Sequence, residues 1–149
     1  MEYTRKEKIL IKTIVKSIDS NLKVSFKKNM WFRKNNLISI GTKEEKSYTK
    51  WYQQEFPQCA NINWWFAHLL HEIGHYKTST PIGQAEMYVE YILLQKEMEL
   101  KPDTTPEEDW EFDVRYFTIK GEYEATKWGI DFYLRNVDYV EKMSKILNF

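Results

Sequence analysis

Cysteine is nearly absent. A single residue, Cys59, in 149 excludes an internal disulfide and a cysteine-based zinc cluster. An excess of one charge is missing too. Lys plus Arg and Asp plus Glu both count 22, so nothing general favours a nucleic-acid partner. Long hydrophobic runs are also lacking. Ile9 to Val15 is apolar but interrupted by Lys12, too short to span a bilayer, and without a small-residue cleavage site. Neither a membrane segment nor a secretory leader is expected, and the cytoplasm is the expected location. There is no internal repeat and no low-complexity segment. What is present, 42% hydrophobic and 16% aromatic residues, is the composition of a globular chain, expected to form one domain over residues 1–149.

Histidine is scarce as well, at three, yet all three fall within eight residues: His68, His71 and His75. His71-Glu72-Ile73-Gly74-His75 reads H-E-x-x-H. On a helix, residues four apart share a face, so His71 and His75 can offer two imidazoles to one metal ion. Glu72 stands beside the first of them, where a carboxylate can take a proton from water activated by the metal. Ile62, Phe66, Leu69 and Ile73 keep helical spacing and form an apolar stripe, with His68, His71, Glu72 and His75 on the opposite side. This pattern predicts a helix that turns one face to the core and the other to a cleft, capped by Asn61 or Asn63.

Around this helix the expected architecture is α+β, mostly helical, with a small antiparallel sheet of two or three strands near the histidine helix. Thr4-Arg5-Lys6-Glu7 has capping-box form and opens an amphipathic helix through Ile11, Ile14, Val15 and Ile18, with a solvated lysine face of Lys6, Lys8, Lys12 and Lys16. Leu22–Phe26, Met30–Phe32 and Leu37–Ile40 read as strands, separated by turns at Lys27-Lys28-Asn29 and Asn35-Asn36. A helix or helical turn is expected from Glu44 to Phe56, carrying Tyr48, Trp51 and Tyr52. Thr80-Pro81 starts a helix to about Leu100 on an apolar face of Ile82, Ala85, Val89, Ile92 and Leu93. Thr105-Pro106-Glu107-Glu108 starts another, with Trp110, Val114 and Phe117 inward. Gly121 reads as a break or kink, followed by helices from Glu122 to Leu134 and Val137 to Leu147.

Catalytic zinc usually takes three protein ligands and keeps a position for water. Downstream, the stripe from Glu122 continues through Ala125, Thr126 and Gly129, small residues that let one helix approach another closely. Glu124 shares its side with Lys127 and Asp131, a solvated pattern. The spacing favours Glu122 as third ligand over Glu124. His68 lies one turn before His71, but three imidazoles spread over two helical turns, about 10 Å, would strain a tetrahedral site. It is expected to line the cleft or to hydrogen-bond nearby, with Trp64 in the wall.

The histidine helix followed by Glu122-x-x-Ala125 resembles the zincin metallopeptidases in which a glutamate from a later helix completes the site. Glu122-Tyr123-Glu124-Ala125-Thr126-Lys127-Trp128-Gly129 is similar to the "E-x-E-A-N-x-F-A" segment of the ImmA/IrrE-type members. The likeness covers residues 62 to 77 and 121 to 134. Thr126 stands where that pattern has Asn or Asp, which weakens any supporting role expected there. The 46 residues between His75 and Glu122 exceed a compact core of this type, so the helix from Pro81 looks like an elaboration. The resemblance implies a Zn²⁺-dependent endopeptidase, with His71, His75 and Glu122 as ligands and Glu72 as general base. It implies an intracellular protein or peptide substrate, such as a repressor, in a phage or mobile-element setting. Leu37–Ile40 would then accept an extended substrate by strand addition. Tyr88, Tyr116, Tyr123 and Arg115 all remain open as the oxyanion stabiliser. The competing expectation is a catalytically silent protein on the same scaffold that binds a partner. A nucleic-acid binder using the N-terminal lysines is the weakest reading.

Overall fold

A computed structural model describes residues 2–27, 31–41, 43 and 47–149, excepting the side chain of Ser47. The turn expected at 28–29, residue Met30 and the first residues expected of a helix from Glu44 lie outside these. Helix α1 (Arg5–Ile18) begins at Thr4 with both halves of its capping box formed, the Glu7 carboxylate accepting from the Thr4 N–H at 2.6 Å. Its inner face, Ile11, Ile14 and Val15, is buried, while Lys6, Lys12 and Lys16 are exposed. The fold is mostly helical α+β, as expected from the pattern.

Strands β1 (Lys23–Phe26), β2 (Phe32–Lys34) and β3 (Leu37–Ile40) form one sheet in the order β1-β3-β2. The expected all-antiparallel sheet is instead mixed. β2 and β3 form a hairpin closed by Asn35-Asn36, and Asn35 takes the positive φ of 52° that such two-residue turns need. β1, however, pairs with β3 in parallel. The cause lies at the hairpin tip: the Asn36 carbonyl accepts from Lys23 N–H at 2.8 Å, and the Asn36 amide donates to the Asn21 carbonyl at 2.9 Å. β1 therefore starts where β3 starts and runs beside it. This placement also overturns the expectation that Leu37–Ile40 receives a substrate strand, because β3 is central and paired on both sides.

Helix α2 (Ser47–Glu55) and a 3₁₀ turn (Pro57–Cys59) lead to α3 (Trp64–Thr78). Asn63, not Asn61, caps α3, its Oδ1 accepting from Trp65 N–H at 2.9 Å and Phe66 N–H at 3.4 Å. Every residue of α3 from Trp65 to His75 is buried. α3 is the central helix, packed against β2, β3, α2 and α6; its apolar stripe is enclosed, and the face expected to meet a cleft is buried as well, with His75 bordering a cavity. Its apolar residues join Ile38 and Ile40 of β3, and Tyr48, Trp51 and Tyr52 of α2, in the main core.

Helices α4 (Pro81–Glu99), α5 (Pro106–Phe117), α6 (Lys120–Arg135) and α7 (Val137–Leu147) complete the order. Thr80 and Thr105 cap α4 and α5 as their sequences foretell. The expected apolar face of α4 is turned outward, with Ile82, Val89 and Leu93 exposed. Its inward residues are Met87, Tyr91 and Leu94, which meet Phe112 and Ile119 in a small second cluster. The break expected at Gly121 comes earlier, at Thr118-Ile119, and α6 already includes Gly121.

The closest helix pairing lies between α3 and α6. A Cβ added at Gly74 would stand 2.1 Å from the Ala125 carbonyl oxygen, and one at Gly129 would stand 3.2 Å from Leu70 Cβ. The backbones touch where a side chain would have held them apart. Ala125 and Gly129 belong to the small-residue stripe expected to permit such an approach.

Candidate metal centre

The backbone contact at Gly74 and Ala125 brings the first turn of α6 against the last turns of α3. Glu122 reaches across it. Its Oε2 lies 2.7 Å from His71 Nε2 and 3.1 Å from His75 Nε2. The ligand atoms of His71, His75 and Glu122 all lie within 4.8 Å of one another, and the three residues are buried. They form a group that could hold a metal ion. Glu124, the competing acid, is exposed and lies 4.0 Å from Lys120, so the structure separates it from the histidines.

Each ligand candidate is itself held from behind. His71 Nδ1 lies 3.0 Å from Thr126 Oγ1, and that oxygen lies 3.1 Å from the Tyr48 hydroxyl. With Nδ1–H donating to Thr126, Nε2 is the nitrogen turned to Glu122: a bound metal would take its lone pair, and without metal a proton on Nε2 completes the 2.7 Å hydrogen bond to the carboxylate. Thr126 is fully buried. The weakened role expected of a threonine at this position is therefore corrected: its shorter side chain still supplies the hydrogen-bonding oxygen. On the other flank, the Tyr91 hydroxyl donates to Glu122 Oε1. Tyr91 in turn stacks on Tyr116, with ring centroids 5.2 Å apart and 14° between planes.

His68 stays away from this cluster, as its spacing suggested. It sits in an aromatic surround, stacked on Trp31 at 5.3 Å and lying 5.1 Å from the Tyr48 ring, with Trp64 edge-on at 6.3 Å. Of the oxyanion candidates, Tyr88 is 65% exposed on the outer side of α4, and Arg115 is held in a two-point ion pair by Glu97 at 2.6 and 3.0 Å. Tyr123 lies against Phe56 at 6.2 Å. Tyr116 feels the charges of Glu122 and Glu72, and burial with those charges pushes its pKa up to about 12.

Electrostatics set the two glutamates apart. Burial raises the Glu72 pKa, and the Glu122 charge adds to this; the opposing charges of His71, His75 and Arg33 do not cancel the rise. Burial also acts to raise Glu122, but the charges and hydrogen bonds of His71 and His75 outweigh it and hold that carboxyl far below the ordinary range. For His71, burial acts to lower the pKa and is overcome by the charge and hydrogen bond of Glu122, so the net shift is upward. Two carboxyls pushed apart in this way can take different tasks, one as a fixed anion and one as a proton carrier.

Beyond His75 a cavity of about 640 Å³ opens between the end of α3, the start of α4 and the α5–α6 junction, with Thr80, Gly83, Met87 and Gly121 in its walls. Arg33 of β2 lies on another side, donating from Nη2 to Ser79 Oγ at 2.5 Å and to the His75 carbonyl at 3.4 Å. It ties the sheet edge to the end of α3.

Thr126, Tyr48 and Tyr91 were not read as site residues from sequence. Signals for two of them exist in hindsight. Tyr48, Trp51 and Tyr52 form an aromatic i, i+3, i+4 set, and Met87, Tyr91 and Leu94 keep i, i+4, i+7 spacing within a helix that is apolar on several sides.

The chain matches no family model, no curated protein and no solved structure among those compared.

Proposed function

We propose that the chain is a zinc-dependent metallopeptidase that cleaves peptide bonds in a protein inside the cell. The observation that carries this reading is the convergence of His71, His75 and Glu122 on one point, with the carboxyl of Glu72 on the same helix and raised toward neutrality. When bound, zinc would supply a Lewis acid that acidifies water and polarises a carbonyl oxygen. His71, His75 and Glu122 would hold it. Glu72 takes the proton of the attacking water and returns it to the leaving amine, a task that needs a carboxyl whose pKa has moved toward the working pH. Thr126 keeps the His71 imidazole in the ligating tautomer. The sheet edge beside α3 is β2, so an extended substrate would pair along Phe32–Lys34. By the resemblance described above, the substrate would be a regulator such as a repressor.

A second reading, a silent scaffold that binds a partner protein, draws on the exposed apolar side of α4. No helix among the described residues is long and apolar enough to cross a membrane, which is compatible with either reading.

Metal content tests the centre first. Protein purified without added metal should carry about one zinc per chain, retained in Glu124→Ala and lost or weakened in Glu122→Ala. Failure to take up stoichiometric metal, even with zinc supplied, would remove the peptidase reading. Glu72→Gln then separates enzyme from scaffold: an enzyme loses turnover with metal and fold intact, whereas partner binding by a scaffold is unaffected.

A further inference from the structure

The carboxylate of Glu122 has two oxygens, and the fold treats them differently. Oε2 faces both imidazoles, at 2.7 and 3.1 Å. Oε1 points away and accepts the hydroxyl hydrogen of Tyr91. Tyr91 belongs to α4, the segment that the zincin resemblance does not cover. It is packed with Leu94, Phe112 and Ile119 in a cluster apart from the main core, and its ring lies flat on Tyr116.

A carboxylate can grip a metal ion with one oxygen or with both. To offer both, Glu122 would have to turn Oε1 out of the hydrogen bond from Tyr91 and leave the phenol only the neutral hydroxyl of Tyr116 in place of a charged acceptor, an unfavourable exchange. We propose that Tyr91 is a positioning residue that confines Glu122 to ligation through Oε2 alone. One-oxygen ligation by Glu122 leaves a zinc site with three protein atoms and a position open to water. The proposal rests on the metal reading above.

The test compares wild type, Tyr91→Phe and, as a matched control on the outer side of the same helix, Tyr88→Phe. Zinc affinity is read by competition with a chromophoric chelator, and coordination number from the visible absorption of protein loaded with Co²⁺. Metal-free circular dichroism should be the same for all three. Tyr91→Phe should bind zinc about 10- to 100-fold more weakly, the range seen when a hydrogen-bond partner of a metal ligand is lost. Its cobalt bands should weaken as the freed carboxylate adds its second oxygen, whereas Tyr88→Phe matches wild type in both. A Tyr91→Phe protein with wild-type affinity and spectrum overturns the assignment. Cobalt-loaded wild type provides a measurement that does not depend on the variant folding: it should absorb with the intense bands of a four-coordinate ion, and weak bands of higher coordination overturn the proposal. Wild type that takes up no metal at all overturns the metal reading and this one with it; normal wild-type loading with an unchanged variant overturns this one alone.

Discussion

At the scale of single residues, the centre depends as much on the groups behind the ligands as on the ligands. Thr126 gives His71 Nδ1 its partner and shares the same oxygen with Tyr48. Thr126→Val keeps the volume and removes that oxygen. Zinc binding should weaken about 10- to 100-fold, and the two buried groups left without a partner should lower stability by roughly 1–3 kcal/mol. Chelator competition and thermal unfolding measure these separately, and Thr126→Ser should keep most of the affinity. The ionisable groups predict opposite pH responses with and without metal. The folded pKa of His71 lies above its ordinary 6.5, so its protonated form stabilises the metal-free fold. That contribution is complete below 6.5 and disappears as pH rises through the folded value. Zinc needs the same nitrogen unprotonated, so its affinity should climb over the same window. Glu122 has the reverse sign: with its pKa depressed, its contribution is complete above 4.5 and lost as pH falls toward the folded value. Unfolding temperatures between pH 4 and 9 should therefore fall on the alkaline side for metal-free protein, while added zinc raises them most there.

Between elements, the decisive contact is α3 on α6. Gly74 occupies a variable position of H-E-x-x-H, yet a methyl group there would stand within 2.1 Å of the Ala125 carbonyl oxygen, one turn from Glu122. Gly74→Ala must separate the helices. A cost of about 1–3 kcal/mol is the usual result of overpacking, and zinc affinity should fall with it because Glu122 withdraws from the histidines. Calorimetry and metal titration on the same preparation check both effects; a variant of unchanged stability would show that the contact is not tight. Much of this pairing was legible in sequence. The spacing of His71 and His75, the small stripe of Ala125, Thr126 and Gly129, and the solvated company of Glu124 are local patterns, and local patterns survive folding. Helix α4 was misread because its apolar residues lie on several sides. The outward Ile82, Val89 and Leu93 equal the inward Met87, Tyr91 and Leu94 in number, and only packing against Phe112 and Ile119 decides which side turns in. The parallel pairing of β1 was hidden for a similar reason. It rests on Asn36 reaching back to Asn21 and Lys23, a contact between residues that no periodicity connects.

For the molecule as a whole, a metal held by His71, His75 and Glu122 would be coupled to the fold through one central helix. Zinc at about a thousand times its dissociation constant should add roughly 4 kcal/mol to the stability of a chain that binds it only when folded. In a chain of this length that corresponds to about 8–16 °C in the unfolding midpoint, reversed by a chelator and absent in Glu122→Ala. The scarcity of cysteine gives this coupling a clock. Cys59 is fully enclosed, in the turn before α3, and burial raises its thiol pKa, so the folded protein offers almost no thiolate to a reagent. Modification by a disulfide reagent can then advance only as often as the core around Cys59 opens. With a single thiol per chain, each event is counted once, without interference from other sites. If the opening that frees Cys59 also parts α3 from α6, saturating zinc should slow the reaction by the same thousandfold by which it favours the closed protein.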